Sequence, residues 1–332
     1  MWSRRRAGSK KTELKTKEEI MRFRSSILEH FNVRLKEYRG DDFKRRAGYL
    51  LEGLRERLFM ALVGGPGTGK KTLARYVMDA AKADMTIIYL QVLDDARITI
   101  SQIIAAMIEA LSFGGERPRR DVYAKKTQLA RLLGRTVSKG RGVALVVEQA
   151  QHLHHNTIRA IKELRELSFL GDSELFSVLL MGHKSLEGKL LNLGDVAARV
   201  EFVRLDGETG WMDLEGRVAY IKGRFGAALT DAMRRQVALA HHTPMEIDRA
   251  IYERMQEAYR RGDRLQLSDF ILDVKDVIEK AGLSYARVAE ESGLSKATVS
   301  QVVNHKYDQP ETVDKVKSAV ARIVGLQEKG VA

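Results

Sequence analysis

Leu62-Val63-Gly64-Gly65-Pro66-Gly67-Thr68-Gly69-Lys70-Lys71-Thr72 is the stretch that decides the fold of this 332-residue chain. An apolar run, Leu58 to Val63, precedes the glycines, and an amphipathic segment, Thr72 to Lys82, follows them. In the order strand, glycine loop, helix N-terminus, backbone N–H groups converge on phosphate oxygens and the helix dipole favours the anion. Gly65, Pro66, Gly67, Thr68 and Gly69 would form the cradle, Lys70 would reach the outer phosphates, and Thr72 opens the helix. A glycine turn that merely caps a helix is the alternative, and it leaves Lys70 unexplained. The residue after Lys70 ordinarily carries the hydroxyl that holds Mg²⁺. Here it is Lys71.

A nucleotide-hydrolysing loop of this kind needs a second, acidic strand end. Val143-Ala144-Leu145-Val146-Val147-Glu148-Gln149 stands in that place. The usual pattern is Asp, which fixes Mg²⁺ through water, followed by Glu, which polarises the attacking water. Glu148 and Gln149 occupy those positions, and glutamine orients water but cannot accept its proton. Glu148 is the metal candidate and, with Gln149, the catalytic candidate. The expectation is a protein that binds ATP, holds Mg²⁺ weakly and hydrolyses slowly or not at all, with the Lys71 ammonium offsetting phosphate charge near the metal's position.

Outward from these two stretches, strands are expected at Leu58–Val63, Thr86–Val92, Val143–Val147, Ser177–Met181 and Val200–Leu205. Helices are expected near 70–82, 99–112, 122–137, 154–168 and 186–192. Buried apolar strands alternating with amphipathic helices predict an α/β fold, a parallel five-stranded sheet wrapped by helices. Before it, a helix is expected from Lys17 to about Glu37, with Ile20, Phe23, Ile27, Phe31 and Leu35 on one face, and another from Phe43 to about Glu56. After it, the pattern is helical (Trp211–Arg224, Thr230–Ala240, Pro244–Tyr259) and reads as a lid. The division expected is a basic arm and helix at 1–45, a nucleotide-binding core at 46–206, a helical lid at 207–264 and a last module at 265–332.

That last module has its own signature. A helix from Ser268 to Lys280 is followed by Ser284, which caps a helix holding Val288 and Ala289. Gly293 makes a turn and Ser295 caps a further helix through Val299, Val302 and Val303. This is a helix-turn-helix pattern: Gly293 allows the left-handed turn and Ala289 lets the helices approach. Lys296, Ala297, Thr298 and Gln301 would face a DNA groove. Residues 267–332 hold nine basic and ten acidic residues, so docking to protein stays open as the alternative.

Net charge is +13, and residues 1–46, with fifteen Lys or Arg against seven Asp or Glu, carry +8 of it. A basic arm and body point to a polyanion, most simply nucleic acid; a solubilising tail is the alternative. The loop Glu116-Arg117-Pro118-Arg119-Arg120, with Lys125 and Lys126, is a second basic cluster. With no cysteine there are no disulfides or thiolate metal sites, in keeping with a cytoplasmic setting. No apolar run is long enough to span a membrane. His152, His154 and His155 lack an acidic or thiol partner at ligand spacing and read as exposed loop histidines.

The Gly64–Lys70 loop, "Val-Val-Glu-Gln-Ala-Gln-His-Leu" at 146–153 and "Val-Leu-Leu-Met-Gly-His-Lys" at 178–184 together resemble the AAA+ ATPases of DNA transposition. Nearest among these are the MuB-type target-DNA activators of phage Mu, with TnsC and IstB as relatives. The resemblance covers about residues 45–260. Independently, residues 288–307 are similar to the small helical domain of that family, which is N-terminal there and C-terminal here. The resemblance implies homo-oligomers or filaments, formed with ATP on double-stranded DNA, that recruit or stimulate a transposase. It implies a sensor role for His183, where the family more often has an amide or hydroxyl. Arg199, before the fifth strand, becomes the candidate to reach a neighbour's phosphates, with a surface charge as the alternative. Arg249, after Thr243-Pro244, becomes the lid arginine, one residue from the family register. Arg117, Arg119, Arg120, Lys125 and Lys126 fall where relatives place residues that track DNA.

Other classes of function remain open beside this one. The chain could be a nucleotide-gated transcriptional regulator that binds DNA without turnover, or a helicase loader, which shares the core. Filaments formed with ATP on nonspecific duplex favour the first reading. A discrete operator footprint without ATP favours the second, and single-strand preference with a helicase partner the third.

Overall fold

The computed structural model describes residues 17–93, 98–205, 212–271, 273–307 and 309–329. Residues 1–16 of the basic arm, and Trp211 of the lid pattern, lie outside the described residues. The chain forms two compact units. One comprises Arg39–Ala219 and His242–Glu246; the other comprises Met1–Tyr38, Tyr220–His241 and Ile247–Ala332.

The first helix, α1 (Lys17–His30), stops well short of Glu37. Asn32 adopts φ 51°, and the Val33 N–H donates to the Leu28 carbonyl at 2.8 Å. This is the left-handed closing turn by which a helix satisfies its last carbonyls, and asparagine tolerates it better than most residues. The apolar spacing that continues to Leu35 is therefore not helical.

In the sheet unit, α2 (Asp41–Arg55) leads into β1 (Phe59–Val63), α3 (Lys70–Ala81) and β2 (Met85–Gln91). Next come α4 (Ile100–Ser112), α5 (Val122–Ser138), β3 (Gly142–Glu148), α6 (His155–Arg165), β4 (Ser177–Gly182), α7 (Lys184–Leu191), the short α8 (Gly194–Ala197) and β5 (Val200–Arg204). All pairings are parallel, in the order β2-β3-β4-β1-β5. Every residue of β1 is buried, as it must be in a central strand covered on both faces. Phe59, Ala61, Val63, Leu145, Val147, Val178 and Leu180 pack with Ile104, Met107, Leu129, Leu133, Ile158 and Ile161 into one continuous core under α4–α7. The alternate residues of β1, Met60 and Leu62, face the other layer, where α2 and α3 pack together. Gly134 earns its place on α5: a Cβ there would lie 2.0 Å from the Phe169 ring.

The order of strands places the chemistry. The chain runs from β1 to the far edge at β2, returns through β3 and β4, and then passes β1 to reach β5. The carboxyl ends on either side of that reversal are where ligands bind in open α/β sheets, and the glycine loop starts there.

The helix α9 (Leu214–Phe225) carries the chain from the sheet unit into the second unit, followed by α10 (Asp231–Ala240) and α11 (Pro244–Arg261). Tyr220 donates to Asp248 at 2.8 Å, and Arg224 pairs with the same carboxylate at 2.7 Å. Burial and the Asp248 charge push the Tyr220 hydroxyl far above its ordinary pKa. The helix expected from Ser268 begins later. A 3-10 turn covers Leu267–Phe270, Ile271 is extended, and α12 (Val274–Lys280) starts where Asp273 caps the Lys275 N–H at 2.8 Å. Asp269 competes for the earlier start, because its carboxylate accepts from the Gln266 N–H and fixes the turn instead.

Two short helices, α13 (Tyr285–Ser292) and α14 (Lys296–Val303), flank Gly293, which takes φ 69°. Ser284 and Ser295 cap them as expected. A long helix that the sequence reading omits, α15 (Pro310–Lys329), closes this part. Val316, Ala319, Val320 and Ile323 pack from it against Val288, Val299 and Val303.

Candidate nucleotide site

The loop after β1 has the backbone that the glycines predict. Gly67 and Gly69 take φ 74° and 90°, conformations that other residues adopt only under strain. Gly69 is the N-cap of α3 and supplies no side-chain partner to the first turn, so the helix start is left to an outside anion. Thr68 is buried, and its hydroxyl donates to the Gly65 carbonyl at 2.9 Å. A Cβ on Gly64 would meet that hydroxyl at 2.9 Å. Pro66 is exposed at the tip, and Thr72 is exposed as the third residue of α3. Lys70 bends back over the loop, donating to the Gly64 and Gly65 carbonyls at 2.7 Å each. An ammonium lying in the cradle marks the place where negative charge is satisfied, and these residues fit a nucleotide triphosphate. Met245 lies on the outside of the loop, its N–H 3.4 Å from the Gly67 carbonyl. Its side chain fills the space a Cβ on Gly67 would need.

Lys71 and Glu148 meet. The ammonium is 3.1 Å from Oε1 and 3.2 Å from Oε2 of the carboxylate. Tyr89 donates its hydroxyl to Oε2. The register explains the contact: Tyr89 stands opposite Val146, and Gln91 opposite Glu148. A diagonal neighbour two residues along is within reach of long side chains. Mg²⁺ does not fit this arrangement. The residue that should offer a hydroxyl offers an ammonium without a lone pair, and the carboxylate is engaged on both oxygens. Among the described residues no group of three or more His, Cys, Asp or Glu gathers to hold a metal ion.

Gln149 follows with φ 57° and caps a 3-10 turn. Gln151, which sequence reasoning did not single out, ties this turn to the next strand: its Oε1 accepts from the His183 N–H at 3.3 Å. Lys189 supports it from α7, donating to the Gln151 and Leu153 carbonyls. His183 caps α7 at the carboxyl end of β4 and is exposed. Glu148, Gln149 and His183 thus share one end of the sheet with the loop.

Arg199 stands at the other end. It precedes Val200, which pairs with Phe59 at the start of β1, so it lies roughly 20 Å along the strands from the loop, at about 3.3 Å per residue. Its guanidinium pairs with Glu166 at 3.0 Å. A Lys162 hydrogen bond, with Arg199 adding to it, holds that carboxyl below its usual range. Arg204, by contrast, is in register with Val63 beside the loop and pairs with Glu187 at 2.6 Å. Arg249 belongs to the second unit, where it is exposed on α11 and pairs with Glu253 at 2.9 Å.

The basic loop is built around a buried glutamine. Gln128 accepts from the Arg119 N–H at 3.1 Å and donates to the Arg117 carbonyl at 3.2 Å and to Glu116 at 3.1 Å. Arg131 also pairs with Glu116. The backbone is pinned from inside, and Arg117, Arg119 and Arg120 are left exposed. Lys125 is spent on Ser101 at 2.7 Å, and Lys126 is half-buried. Phe113, 89% exposed, and Tyr123, 78% exposed, flank this loop. In α14, Lys296, Ala297 and Gln301 are exposed, while the Thr298 hydroxyl is 2.8 Å from its cap, Ser295.

The family model for the AAA domain matches residues 52–190. No curated protein matches the sequence. Among solved structures, the chain is similar to Cdc6p from Pyrobaculum aerophilum (TM-score 0.50, 16% identity, over 90% of this chain and 84% of that one). It is also similar to the Aeropyrum pernix ORC2 protein in its ADPNP–ADP complexes (TM-score 0.48, 11% identity, 86% and 80%) and to Drosophila ORC bound to DNA (TM-score 0.47, 14% identity, 98% and 84%). The sheet unit has the fold of an AAA domain, a parallel five-stranded sheet flanked by helices. Among the described residues no helix is long and apolar enough to cross a membrane.

Proposed function

We propose that the chain binds ATP at the Gly64–Lys71 loop and, with ATP bound, assembles as copies of itself on double-stranded DNA. There it regulates DNA transposition by recruiting or stimulating a transposase. One observation carries the nucleotide reading: a left-handed glycine loop and an uncapped helix start, with the Lys70 ammonium lying inside the cradle. Bound there, the nucleotide supplies a strongly negative triphosphate; Lys70 and the first turn of α3 bind it, and Lys71 faces it from the Glu148 side. Turnover is slow or absent, because Glu148 is already paired and Gln149 cannot take a proton from water.

The DNA reading is supported by the +13 charge and by a pinned loop that holds three arginines outward. The transposition reading rests on the resemblance of the three motifs at 64–70, 146–153 and 178–184. The α13–Gly293–α14 pair supports a second contact surface, for DNA or for the partner protein.

The test is binding to nonspecific duplex with and without ATP, read by sedimentation and by imaging. Large assemblies are expected with ATP alone among the two conditions, and affinity should fall steeply with salt as counterions are released. Replacing Arg117, Arg119 and Arg120 with Ala should weaken binding to all sequences alike and flatten the salt slope. A discrete footprint on one sequence without ATP would favour a transcriptional regulator instead.

A further inference from the structure

We propose that this site takes its nucleotide without a divalent cation, the Lys71 ammonium standing in the cation's place and Glu148 serving to hold it there. The inference rests on the nucleotide-binding reading above and goes beyond it in what the ligand is: a free nucleoside triphosphate, not its magnesium complex.

The geometry of the carboxylate comes first. Both oxygens of Glu148 lie against the ammonium, at 3.1 and 3.2 Å, and Oε2 also accepts from Tyr89. A carboxylate that serves a metal, directly or through water, must turn a lone pair toward it, and here a cation already lies across both oxygens. This one is committed from two sides, by α3 and by the edge strand β2.

The division of exposure comes second. The Glu148 side chain is 13% exposed and that of Lys71 is 61% exposed. The acid is thus the fixed anchor, walled in at the end of β3, and the lysine is the part that meets solvent at the start of α3. A chain with four rotatable bonds gives that ammonium reach toward phosphate oxygens while Glu148 limits where it can go.

Charge comes third. Lys70, Lys71 and Glu148 leave one net positive charge at the loop, supplied by the chain itself. A divalent ion brought to Glu148 would approach the Lys71 ammonium to within a few ångströms, where like charges repel strongly in a partly buried site. Ion and ammonium exclude each other at that carboxylate, and the ammonium is already paired with it. Tyr89 makes the arrangement specific: it is a positioning residue that holds the carboxylate in the orientation Lys71 uses.

The experiment is a titration of a fluorescent ATP analogue into the full chain, in excess Mg²⁺ and in excess EDTA. The two dissociation constants should agree within about two-fold. Lys71→Thr should restore dependence on the ion, binding at least about ten-fold more weakly in EDTA than in Mg²⁺. Tyr89→Phe, which leaves the ion pair in place, should keep the wild-type pattern with a modest loss in both buffers. Lys70→Ala should weaken binding equally in both. If Lys71→Thr fails to fold, as judged by circular dichroism, the wild-type comparison still decides. Wild-type binding that appears only with Mg²⁺ overturns this inference and leaves the nucleotide site standing. Failure to bind in either buffer overturns both.

Discussion

Two of the three departures from the usual phosphate-loop pattern converge on one contact. Lys71 replaces a hydroxyl, Glu148 is one methylene longer than the expected aspartate, and Gln149 replaces the base. The extra methylene lets the carboxylate reach the ammonium, so the first two changes answer each other. Reverting one alone leaves a half-buried acid or an exposed lysine without its partner. Lys71→Thr, Glu148→Asp and Gln149→Glu together should raise steady-state ATP hydrolysis, since a positioned general base contributes about 10²–10⁴-fold. Each single reversion should do little, because metal and base act as a unit. Turnover by the unmodified chain at the level of the triple variant, with DNA present, would sink this account. Each of the three residues is legible in the sequence from its place in a motif. The meeting of Lys71 and Glu148 across 77 positions is not, and neither is Tyr89, because spacing shows that a strand exists but not which residues it stands beside.

At the scale of the element, the loop between α4 and α5 shows how an exposed basic segment is held still. Gln128 donates to Glu116, and this hydrogen bond, with the Arg131 pair, holds the Glu116 carboxyl below its usual range. A carboxylate depressed in the folded state contributes stability above its unfolded pKa, 4.5, and loses it as pH falls through the folded value. Proteolysis at Arg117–Arg120 should therefore stay constant from neutral pH down to the ordinary carboxylate range and rise in stronger acid. Gln128→Ala should raise cleavage there at neutral pH, by leaving the Arg119 N–H and the Arg117 carbonyl without partners.

The five strands were readable to within a residue because the central, buried strands appear as unbroken apolar runs and the edge strands β2 and β5 as apolar-rich runs with polar interruptions. The errors share a cause. The end of α1, closed by the left-handed backbone of Asn32, and the late start of α12, capped by the Asp273 side chain, are both set by local hydrogen bonds inside an otherwise periodic pattern. Such local bonds outweigh periodicity over one turn. The omitted α15 had its signal in Pro310, at the first helical position, and in Val316, Val320 and Ile323 beyond it.

For the whole molecule, the informative distance is the length of the sheet. The loop and Arg199 lie at opposite ends of parallel strands, so this arginine does not reach the loop of its own chain, and we propose that it serves a neighbour's phosphates. Arg199→Ala should abolish ATP-dependent assemblies on duplex while leaving the monomer folded, by sedimentation and negative-stain imaging. Normal assemblies from that variant would move the role to Arg204, which borders the loop in register with Val63. A contact that joins one end of a subunit to the opposite end of the next is heterologous, and repeats until it closes a ring or continues as a helix. Such an assembly has direction. Where the proposed array stays open, one terminal copy would display a loop with no arginine across from it and the other an arginine with no loop, so a partner that reads either end could tell the front of the array from its back.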